Sequence, residues 1–121
     1  MKKVLIVTPY FPPVNSADMH RVRTSLPFYN EFGYDPTVLT VDESCIDGVK
    51  DEFLLKTFPE TIDVFRVKTV PTPITTLFGI YNAGIRAIPG IYRTGLKLIK
   101  EKGISLVFFS TTSFHMLFIG R

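Results

Sequence analysis

The feature that most constrains this chain is a set of short apolar runs, each followed by a stretch that reads as loop or helix. "VLIV" at residues 4 to 7 is apolar on both sides of a pleat, as a strand covered on both faces of a parallel sheet must be. "TVLTV" at 37 to 41 is a second run, short and β-branched. "DVFRVKTV" at 63 to 70 alternates, with Arg66 and Lys68 on one side, which predicts a third strand nearer the sheet edge with a basic exposed face. "ISLVFFS" at 104 to 110 is the fourth. Alternation of strands with helical segments predicts an α/β fold: a doubly wound parallel sheet of about four strands, strand one central, with helices on both faces.

The connections carry their own signals. Pro9, Pro12 and Pro13 fix φ and disfavour helical geometry at the residues before them, so the loop after the first strand is extended and preorganised. Asn15 or Ser16 is then placed to cap a helix, with Asp18 in its first turn. Met19, Val22, Leu26 and Tyr29 recur at helical spacing and predict an amphipathic helix over residues 16 to 32, kinked or restarted at Pro27 and ended by Gly33. Asp42 and Glu43 read as turn residues, and "DEFLLKTF" as a short helix. From Leu77 to Lys102 the pattern is helical, broken at Pro89 and Gly90 and stopped by Gly103. Thr112 or Ser113 reads as the cap of a last helix with Phe114, Leu117 and Phe118 on one face. That helix ends after about two turns, so residues 1 to 121 are expected to be the opening domain of a longer protein, incomplete at its C-terminus.

Composition narrows the class. The length of 121 residues suits one domain, and 45% hydrophobic with 13% aromatic residues excludes a disordered chain. Cys45 is the only cysteine, so an intrachain disulfide is impossible, no metal-ligand spacing exists, and a cytoplasmic setting is expected. Lys2 and Lys3 precede an apolar run that the prolines cut too soon for a signal peptide. No stretch approaches the roughly 18 apolar residues of a membrane span. The net charge of +3 is modest, but Arg86, Arg93, Lys97 and Lys100 fall close to one helical face. Such a face is either an ordinary solvated one or a peripheral contact with anionic lipid at the inner membrane face, made through Arg93, Lys97 and Lys100. No aromatic-studded basic surface points to nucleic acid.

In open α/β sheets ligands lie beyond the carboxyl ends of the strands, where strand order reverses. The loop after strand one and the helix that follows it are therefore expected to hold an anionic or hydroxyl-rich ligand. The motifs of phosphate cradles are absent, no cofactor is implied, and the charge of Asp18 competes with an anion for the helix dipole. Arg21, about one turn on, is either a solvated residue or one that reaches back to the ligand, and His20 is the weaker candidate. Thr111, Thr112 and Ser113 form the second carboxyl-end loop, with helix capping as their simpler role. His115 has no nucleophile and acid at a suggestive spacing, and no catalytic constellation is readable.

"KVLIVTPYFPPVNSADMHRVRTSLPFYNEFGYDPTVLTVDE" resembles the N-terminus of family-four glycosyltransferases of the GT-B fold, in which a strand, a "Y-F-P-P" loop, a helix ending in "E-F-G-Y/W-x-P" and a "V-L-T" strand follow in this order. "DEFLLKTFPETIDVFRVKTV" is similar to the family's acidic-to-leucine helix, proline and third strand, and "SLVFFSTTSFHMLFIG" to its fourth strand and following helix. The resemblance implies a Rossmann-like domain on the acceptor side of a two-domain cleft. The donor-binding domain is not in these residues, so the nucleotide-sugar donor and the glycan, lipid or cell-surface polysaccharide precursor that accepts the sugar would meet only in the full-length enzyme. Residues 1 to 121 alone would be inactive. Where the family usually has a glycine pair near the donor phosphates or acceptor, this chain has Asn15, Ser16 and Ala17, and Arg21 matches a basic position that subfamily members carry just after the loop. The rival reading is a non-enzymatic α/β ligand-binding or regulatory domain that uses the loop of residues 9 to 17.

Overall fold

The computed structural model describes residues 1–79, 82–112 and 114–121. Four strands, β1 (Lys2–Val7), β2 (Tyr34–Val41), β3 (Asp63–Val67) and β4 (Leu106–Phe109), form one sheet in the order β3-β2-β1-β4, with every pair parallel. The chain is an α/β protein with a four-stranded, all-parallel sheet. The expected central place of the first strand and the edge place of the third are both observed.

Alternation along β1 explains the two-sided burial. Val4 and Ile6 point to one face, where Val38, Val22, Leu26 and Phe11 pack against them. Leu5 and Val7 point to the other and meet Leu39, Val41, Ile91 and Leu98. Helix α1 (Met19–Ser25) covers the first face and helix α4 (Ile88–Lys102) the second. The two short helices α2 (Thr72–Thr76) and α3 (Ala83–Arg86) lead into α4, which carries the chain across to β4 on the far side of β1. Strand order therefore reverses between β1 and β4.

Three expected helices are corrected. The segment 16 to 32 is not one helix: α1 has seven residues and gives way to two 3-10 turns, Leu26–Phe28 and Asn30–Phe32. Pro27 causes the change, because it lacks the N–H that an α-turn would use and sits instead near the start of the first 3-10 turn. Gly33 ends the segment in the left-handed region at φ 81°, as expected. The later helical stretch begins at Ala83 and not at Leu77, residues 77–79 being turn, and its break falls at Ala87, not at Pro89, which lies in the first turn of α4 where a proline's missing N–H costs no bond. Finally, residues Phe114–Gly120 form a 3-10 helix whose buried side chain is Met116. Phe114 and Phe118 are 71% and 70% exposed, so the expected apolar face does not meet the core.

Packing and hydrogen bonds, besides its prolines, hold the loop after β1. Phe11 is buried with its ring tilted 55° against Phe58 at 4.9 Å. The buried Thr40 hydroxyl donates to the Pro9 carbonyl, and Arg66 donates through Nη2 to the Pro12 carbonyl at 2.6 Å. The Pro12–Pro13 peptide is cis. Further along, Asn15 N–H donates to Val49 and Asp51 N–H to Pro13. Arg66, expected on an exposed basic face, is instead half-buried, with Nη1 3.5 Å from a Glu43 carboxylate oxygen.

Candidate functional site

Parallel strands end together, so the loops after β1 and β4 meet at the carboxyl edge, at the point where strand order reverses. There the Asp18 carboxylate joins them: Ser16 donates its hydroxyl to one oxygen, and Thr112 donates to the other at 3.0 Å across 94 positions of sequence. Tyr10 stands in the same loop. Burial, and secondarily the charge of Asp18, raises its phenol above the ordinary 10.0.

This arrangement revises how the first loop works. Neither Asn15 nor Ser16 caps α1: the residue at the N-cap is Asp18, and no side chain bonds to the cap amides. Ser16 is turned onto Asp18 because its hydroxyl finds a charged acceptor two residues on. Asn15 and Ala17 are exposed at the loop surface. Asp18 lies just before the helix and not inside its first turn. A carboxylate thus occupies the place where an anionic ligand was expected, on a helix of only seven residues, and a bare phosphate would be repelled there.

The other candidates separate from this cluster. Arg21 is exposed on α1, and among the described residues its guanidinium makes no hydrogen bond or ion pair. His20 accepts from Arg23, with ring nitrogen Nδ1 3.3 Å from Nε and 3.1 Å from Nη2. Thr112 belongs to the cluster through Asp18 and does not cap a helix through that bond. Ser113 lies outside the described residues. His115 is exposed.

No family model, no curated protein and no solved structure matches this chain.

A second polar group lies at the ends of β2 and β3. Arg86 donates through Nη1 to the Thr69 hydroxyl at 3.1 Å and through Nη2 to the Cys45 carbonyl at 3.3 Å, while Val70 N–H donates to the Arg86 carbonyl. It fastens α3 to the loops after both strands and does not belong to the exposed basic row of α4. Burial pushes the Cys45 thiol up, but hydrogen bonds from Thr69 and Ser44 outweigh it and leave the thiol below its ordinary range. Asp42 is held low, first by the Ser44 hydroxyl and then by its amide, as the cap of the 3-10 turn Glu43–Cys45. Among the described residues no cluster of three His, Cys, Asp or Glu side chains is placed to hold a metal ion, and no helix is long and apolar enough to cross a membrane.

Sequence reasoning named Ser16 and Thr112 as ligand residues and weighed Asp18 only as a helix-dipole charge. Nothing local to Asp18 announces its partner at position 112; only the parallel topology brings the two together. Tyr10 was likewise missed, and its place between prolines in a carboxyl-end loop was the available signal.

Proposed function

We propose that this chain is the acceptor-side domain of a GT-B glycosyltransferase, one that moves a sugar from a nucleotide-sugar donor to a hydroxyl acceptor. One observation carries the reading: an Asp18 carboxylate held by Ser16 and Thr112 at the reversal of strand order, with Tyr10 in the same loop. A carboxylate with fixed geometry and spare lone pairs accepts from a sugar hydroxyl, and a neutral phenol donates to one. The negative charge disfavours the phosphates of the donor, which in this reading belong to a second domain facing this one. The resemblance of residues 3 to 43 to family-four enzymes supports the same assignment.

The acceptor hydroxyl must be held while the sugar arrives, and roughly 7 to 11 kcal/mol of barrier lowering comes from such positioning in favourable cases. Asp18 orients that hydroxyl and accepts its hydrogen bond; Ser16 and Thr112 fix the carboxylate. Titration of residues 1–121, labelled for amide NMR, with simple pyranosides and separately with uridine diphosphate tests the assignment. Pyranosides should move the amides of Ser16, Asp18 and Thr112 at millimolar concentration, and Asp18→Asn should abolish the response. A response to the diphosphate alone would overturn the acceptor-side reading, and sugar transfer by residues 1–121 alone would overturn the placement of the donor site elsewhere.

A further inference from the structure

The Asp18 carboxylate is half-buried, and both of its partners are neutral: the hydroxyls of Ser16 and Thr112. Among the described residues it makes no ion pair, and it accepts nothing from the amides at the start of α1. The basic side chains of the surrounding elements are bound elsewhere or point into water. Arg23 donates to His20 on the same helix, and Arg66 donates to the Pro12 carbonyl and pairs with Glu43. Arg21, and Lys50 opposite Val14 in an isolated bridge, are exposed, and neither makes an ion pair among the described residues. The charge of Asp18 therefore acts on its surroundings without a counter-ion, as its effect on the Tyr10 phenol shows. A carboxylate partly withdrawn from water in this way is a standing cost to the folded chain until a cation meets it.

We propose that the acceptor taken by this site is an amino sugar, whose free ammonium docks on Asp18 beside the hydroxyls of Ser16 and Thr112. The inference rests on the acceptor-side reading and names the class of acceptor within it. Each carboxylate oxygen has one hydroxyl partner and, by its lone pairs, room for a second donor. A neutral sugar fills that room with hydroxyls alone. An ammonium fills it with N–H donors and adds the attraction of opposite charge, which is the one interaction the protein leaves unmade at Asp18. A uronate or a sugar phosphate meets like charge there with no paired cation to offset it. Asp18 is in this sense a specificity-determining residue, and Ser16 and Thr112 set where the ammonium sits by fixing both carboxylate oxygens.

The probes are two matched pairs, glucosamine with glucose and galactosamine with galactose, together with glucuronate and methylammonium. Each is titrated into the amide-labelled chain at low salt and about pH 6, where a sugar amine is an ammonium. The amides of Ser16, Asp18 and Thr112 should report at least one amino sugar bound about fivefold tighter than its neutral twin, the weight of one partly exposed ion pair. Glucuronate should give no response. Raising the salt to about 0.5 M should shrink the preference while leaving the neutral sugar's affinity in place, because only the charged contact is screened. Thr112→Val, at an exposed position, should weaken both members of a pair and keep the preference, which Asp18 carries. Equal affinity within both pairs, or methylammonium bound as tightly as the amino sugars, would overturn this inference and leave the acceptor-side reading standing. No response to any sugar would overturn both. Tighter binding of glucuronate, lost in Arg21→Ala or Lys50→Ala, would overturn the inference and assign the reading of charge to that cation.

Discussion

At Asp18 a single carboxylate acts on three residues at once: it orders the hydroxyls of Ser16 and Thr112, and its charge adds to the burial that raises the pKa of the Tyr10 phenol. Asp18→Asn should therefore bring the Tyr10 pKa part of the way back toward 10.0 and no further, because burial is the larger cause and remains. Tyrosine ring-carbon NMR across an alkaline titration measures this directly. The same shift has a consequence for stability. A folded-state pKa above the unfolded one means that the contribution of the group is fully present below about pH 10 and is lost as pH rises through the folded value. Tyr10→Phe should accordingly show a flatter loss of denaturation free energy above about pH 10 than the parent protein. The site was half legible in the sequence. Ser16 and Thr112 are polar groups in carboxyl-end loops, which is a local property, whereas the bond that unites them through Asp18 depends on two loops 94 positions apart.

The elements differ in how far local sequence decided them. β1 and β2 followed from apolar runs that only a sheet covered on both sides accommodates. Gly33 and Gly103 end their segments because each takes positive φ, which a side chain resists. The helix over 16 to 32 breaks near Pro27, where an interruption was expected because the proline removes a donor, but periodicity does not register that the residues after the break form 3-10 turns. Phe114 and Phe118 have helical spacing too, yet spacing says nothing about whether a surface is present to receive them. Arg66 is the element-scale tie, joining β3 to the loop after β1 through the Pro12 carbonyl and Glu43. Arg66→Leu should cost about 1–2 kcal/mol, since Glu43 loses its partner while retaining some exposure to water. Urea denaturation reads the loss, and hydrogen exchange at the Asn15 and Asp51 amides, both of which belong to the loop's anchoring, should quicken relative to that at β1.

Over the whole molecule, β1 is the member that both faces and both flanking strands share. Ile6 is fully buried in it, so Ile6→Ala should cost about 2–5 kcal/mol, a large part of the 5–15 typical of a native domain, measurable as a fall in the urea midpoint. The pairing of β1 also has a direction in time. Its register partners on one side, Tyr34 to Leu39, follow within a few tens of residues, but on the other side Val4 to Val7 pair with Leu106 to Phe109. During synthesis at about 5–20 residues per second, β1, β2 and β3 are made seconds before β4. Through that interval the first strand is an open edge, and the two loops that grip Asp18 are not yet neighbours. A nascent chain stalled just after residue 100 would carry the residues of β1 to β3 while its ligand loop still lacked Thr112, so a loop translated early waits for one translated late.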